Sequence, residues 1–92
     1  MKIYKVEYTT SGSSYEIAYL DNLESAKLLM KEYVKFEIEG KYLKESEIDI
    51  EEHDSGQMIT TIVRKKDSEN GYIFSVEISL IVVHNNIVSA LG

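Results

Sequence analysis

Ninety-two residues, 43% apolar and 28% charged, make one folded domain spanning 1–92, because a chain this short builds a single core and is too apolar for a disordered protein. A formal net charge of −6, from 16 acidic against 10 basic residues, disfavours nucleic acid as a direct ligand, since phosphate binding needs clustered cations. Cysteine is absent, which excludes disulfides and thiolate metal sites; no apolar run approaches the roughly 20 residues that span a bilayer, and the expected compartment is the cytoplasm.

Residues 2–9 alternate, with Tyr4, Val6 and Tyr8 on one face and Lys5, Glu7 and Thr9 on the other, the period of a half-buried strand. Thr10 to Ser14 is small and polar around Gly12, a hairpin loop, and Tyr15 to Leu20 returns as a second strand. Asp21 and Glu24 have capping-box spacing and predict a helix start. Leu23, Ala26, Leu29, Met30, Tyr33 and Phe36 form its apolar stripe, with Glu24, Lys27, Lys31, Glu32 and Lys35 opposite, and the helix is expected to end near Glu37, before Gly40 and Lys41.

A short acidic strand is expected over Glu47 to Glu52, a turn over His53 to Gln57, and a strand over Met58 to Arg64 rich in Ile, Thr and Val. Asn70-Gly71 is the strongest hairpin signal, because both residues tolerate positive φ. Tyr72 to Val83 is the longest strand, with Phe74, Val76, Ile78, Leu80 and Val82 facing the core; the apolar tail after it docks on the body or meets a second copy. The order β-β-α-β-β-β predicts an α+β fold, an antiparallel sheet of about five strands with one helix packed on one face.

The acidic run Glu45, Glu47, Asp49, Glu51, Glu52 and Asp54 is the most unusual local feature and the candidate partner-binding surface. As a strand it sets Glu47, Asp49 and Glu51 in a row about 6.6 Å apart, which a basic groove built for a nucleic-acid backbone accepts in place of phosphates. The alternative role is a charged edge that keeps strands from aggregating. No calcium-loop pattern is present, and His53 and His84 lack metal-ligand spacing, so neither a metal nor any other cofactor is expected. No Gly-x-Ser-x-Gly elbow or phosphate loop occurs, and the chain is expected not to be an enzyme.

The layout from Met-Lys-Ile-Tyr-Lys-Val through Asp-Asn-Leu-Glu-Ser-Ala-Lys to the acidic strand resembles small acidic proteins of phages and prophages, a group that includes anti-CRISPR and antirestriction inhibitors. That resemblance implies a protein that binds and inhibits a bacterial nucleic-acid-processing protein, such as a CRISPR effector, in the host cytoplasm. Two other classes stay open: a homo-oligomeric scaffold joined through the apolar tail and the outer face of the last strand, where Ile73, Ile81 and Val83 interrupt the polar pattern, and a small hydrolase using His53 or His84.

Overall fold

A computed structural model describes residues 2–67 and 71–82. Within them the chain forms β1 (Lys2–Thr10), β2 (Ser14–Leu20), α1 (Leu23–Gly40), a 3-10 turn (Glu45–Glu47), β3 (Ile48–Asp54), β4 (Met58–Lys65) and β5 (Tyr72–Val82). All strands pair antiparallel in one sheet of order β2-β1-β5-β4-β3. The expected α+β architecture is the observed one, and the last strand lies at the centre of the sheet.

The core lies between one sheet face and α1. Val6 and Tyr8 of β1, Phe74, Val76 and Ile78 of β5, and Ile59 and Val63 of β4 are buried on that face, as the period of two requires. Burying a side chain such as Phe74 or Ile78 from water contributes about 2 to 3 kcal/mol. The helix covers them with Ala26, Met30 and Val34. Val34 therefore belongs to the packed stripe, whereas Phe36, expected there, is 66% exposed: a helix face spaced 4 + 4 residues from Ala26 turns Phe36 outward.

The helix ends also differ from expectation. Asn22, not Asp21, is the N-cap; it has extended backbone and its Oδ1 accepts from Ser25 N at 3.0 Å. At the other end α1 continues to Gly40, and the left-handed residue is Tyr42 at φ 56°. Leu43 N donates to Ile38 O at 3.0 Å and Tyr42 N to Glu39 O at 3.1 Å, the paired bonds of a Schellman cap with tyrosine where glycine is usual.

Tight turns set the hairpins. Gly56, at φ 93°, begins the Gly56-Gln57 turn between β3 and β4, which Ser55 N closes by donating to Met58 O at 2.9 Å. Asn70, of the expected Asn-Gly turn, lies outside the described residues. Gly71 is required by close approach: Lys65 N donates to its carbonyl at 2.6 Å, and a Cβ there would overlap the Lys65 carbonyl oxygen.

Candidate functional site

The six carboxylates of the acidic run are all exposed, at the open edge of the sheet. They do not make one row. Glu45 and Glu47 lie in the 3-10 turn, and β3 itself starts at Ile48 and continues through His53 and Asp54. The expected alignment of Glu47 with Asp49 and Glu51 is thus corrected, because Glu47 N closes back on Lys44 O at 2.8 Å and takes the residue out of the pleat.

Within β3 the period of two divides the rest. Ile50 pairs with Val63 and Glu52 with Thr61, both on the helix side, so Ile50, Glu52 and Asp54 share that side. Asp49, Glu51 and His53 share the outer face. Arg64 Nε donates to Glu51 Oε2 at 3.3 Å, His53 Nε2 is 3.6 Å from the same oxygen, and Lys44 reaches Glu47 at 3.9 Å. Among the described residues no ion pair reaches the other four carboxylates of the run, so the edge keeps most of its negative charge.

The outer face adds a feature that local sequence does not display. Glu16 of β2 sits opposite Glu7 of β1, and Glu7 sits opposite Glu77 of β5. Three carboxylates from three strands therefore stand abreast, one strand spacing of about 4.8 Å apart, facing away from the helix. Each residue reads as an ordinary polar-face position in its own strand; only the pairing of β1 with β5 in mid-sheet brings them together. Ser79 Oγ donates to Glu77 at 3.2 Å, and a hydrogen bond from Tyr19 to Glu16, with a smaller effect of desolvation, raises the Tyr19 phenol above its ordinary pKa. Like charges directly opposite in a sheet are destabilising, so the row opposes folding. Among the described residues no cluster of three or more His, Asp or Glu is placed to hold a metal ion.

The histidine candidates come apart. His53 is on the open outer face with Glu51 beside it, in water rather than in an enclosed cleft. His84, Val83 and the apolar tail lie outside the described residues. The basic run Arg64-Lys65-Lys66 at the end of β4 is divided as well: Arg64 is held by Glu51, while Lys65 and Lys66 are exposed at the hairpin.

On the helix side α1 lies over β1, β2 and β5, and among the described residues β3 is left open beyond the buried Ile48. The result is a groove of about 640 Å³ between α1 and β3, with Met30, Val34, Ile38, Ile50 and Thr61 lining it. Thr61, buried, donates from Oγ1 to the Met30 sulfur at 3.5 Å. Lys27, Lys31 and Lys35 follow the helix rim at steps of four, and Glu45 and Glu52 lie on the sheet rim.

At the opposite end of the helix-sheet interface, Tyr8 packs against Tyr15, Tyr33 and Phe74, with ring centroids 5.1 to 5.7 Å apart. Burial, then the hydrogen bond with Tyr15, pushes the Tyr33 phenol well above its ordinary pKa. Burial also raises Tyr8, against the Lys41 ammonium, whose hydrogen bond to the phenol lowers it.

The chain matches no protein-family model, no curated protein and no solved structure.

Proposed function

We propose that this protein is a non-catalytic binding protein that lays its acidic sheet face and β3 edge on the basic surface of a bacterial nucleic-acid-processing protein, such as a CRISPR effector, and so blocks the nucleic acid. The observation that carries the reading is the register of Glu16, Glu7 and Glu77. A fold that sets three carboxylates side by side on an open face loses stability by it, and a basic partner recovers that loss on docking. Asp49 and Glu51 extend the same face to the free edge. With Glu16, Glu7, Glu77, Asp49 and Glu51 against Lys5 and Arg64 the face is net negative, which complements a phosphate-binding surface and speeds encounter with it.

The test separates binding from folding. Glu7→Gln with Glu77→Gln is expected to raise stability by roughly 0.2 to 1 kcal/mol for the like-charge pair removed, while weakening salt-sensitive association with a basic nuclease. Combining Glu47→Gln, Asp49→Asn, Glu51→Gln and Glu52→Gln should abolish that association with the fold intact. Full affinity in both variants would sink the reading.

A further inference from the structure

Two edges of the sheet are open to another strand, and they are not equivalent. The β2 edge carries a bulge opposite Val6 and Glu7 and is tied to α1 by the Tyr15–Tyr33 hydroxyl contact. Bulges and covering elements blunt an edge. Among the described residues the β3 edge has neither device: its seven residues pair with β4 without a register shift, from Ile48 opposite Lys65 to Asp54 opposite Ile59.

Antiparallel pairing alternates residues that bond to the partner strand with residues whose backbone groups point away. Lys66 N donates to Glu47 O at 2.9 Å, and Ser55 N donates to Met58 O at 2.9 Å. These flanking bonds fix the alternation: the odd positions 47 to 55 bond toward β4, and Ile50, Glu52 and Asp54 turn their N–H and C=O groups outward, while at Ile48 the N–H is taken by Glu45 O. Ile50 and Glu52 also line the groove under α1.

An added strand would therefore be read on both faces. Its side chains on the helix side enter the groove beside Ile50, which is 54% exposed, and against Met30, Val34 and Ile38. Its side chains on the outer side fall beside Asp49 and Glu51. A second copy of this chain does not suit the edge, because antiparallel self-pairing of β3 would bring two sets of Asp49, Glu51, Glu52 and Asp54 together.

Resting on the acidic docking proposed above, we infer that β3 accepts an extended segment of the basic partner as a sixth strand, one that alternates lysine or arginine with apolar residues. The backbone bonds supply affinity, the groove selects the apolar positions, and the carboxylates select the cations.

The probe is a synthetic peptide alternating lysine and valine over the seven residues of β3, beside an isomer with the same residues in two blocks. Anisotropy at low salt should show the alternating peptide binding at least ~10-fold tighter, a difference of about 1.4 kcal/mol. Methylating the peptide's alternate amides, those facing β3, should erase the difference. Ile50→Pro removes one outward N–H without removing a ladder bond or a charge, and should make the two isomers equal. Circular dichroism checks its fold; should it fail to fold, the methylated peptide on the unaltered protein decides. Equal binding of the two isomers by the unaltered protein overturns strand addition while leaving acidic docking in place. Binding of neither isomer at low salt overturns both.

Discussion

The Tyr15 and Tyr33 hydroxyls lie 2.6 Å apart and tie edge strand β2 to helix α1, beside the Tyr8 and Phe74 rings of the core. Tyr33 favours its neutral form there, because burial opposes the phenolate first and the hydrogen bond with Tyr15 and the nearby Glu37 carboxylate add to it.

A specific alkaline weakness follows. The Tyr33 pKa is raised in the folded protein, so its contribution is fully present below the unfolded phenol value of about 10 and is lost as pH rises through the folded value. Urea midpoints should hold to about pH 9.5 and then fall, in step with delayed tyrosinate absorbance. Tyr33→Phe should cost about 1 kcal/mol near pH 8 and flatten the alkaline fall. An equally steep fall in that variant would assign the weakness elsewhere.

Tyr42 is 92% exposed and holds a left-handed backbone that tyrosine adopts at a cost of roughly 1 kcal/mol. Tyr42→Gly keeps both Schellman bonds and removes that strain, so it should stabilise by about 0.5 to 1 kcal/mol, seen as a thermal midpoint about 4 °C higher. A lower midpoint would mean that the exposed ring contributes to the fold through a contact at the cap.

Arg64 lies where it offsets Glu51, with both side chains nearly half exposed. An exposed pair of this kind contributes little, so Arg64→Gln should shift stability by less than about 0.5 kcal/mol. It also uncovers one carboxylate of the proposed docking face. Stopped-flow association with heptalysine should quicken by severalfold at low salt and converge with the parent at high salt. An unchanged rate at low salt would detach Glu51 from that face.

The parts legible in the sequence were those with local periodicity. Alternation placed Val6, Tyr8, Val76 and Ile78 on the buried side, and the helix spacing placed Ala26 and Met30, because each pattern depends only on its own element. The caps were less legible. Asp21 and Asn22 are both good cap residues, and the competition was decided by where β2 releases the chain. Gly40 looked like the helix stop, yet the left-handed position fell two residues later, on Tyr42.

Of the candidate site, the acidic run was legible as a cluster of charges, but neither its exposure nor its division was. Glu47 left the strand through a backbone bond to Lys44, which no charge pattern encodes. The Glu16, Glu7 and Glu77 row could not be read at all, since it follows from the strand order. Non-local pairing carries no signal in any single segment.

The central position of β5 bears on how the protein comes into being. Strand β1 can pair with β2 while the chain is still emerging from the ribosome, but its other edge waits for residues 74–82, with Lys2 set opposite Val82 and Thr10 opposite Phe74. Until then the β1 edge that β5 will occupy is open to other nascent chains, and the Val6 and Tyr8 face lacks its neighbours from β5. Pairings this distant in sequence fold slowly, because the loop between them must close before any contact rewards it. The helix, made early, shields that face during the wait, and the decisive step of folding is the late insertion of one strand between two waiting hairpin arms, β1 and β4.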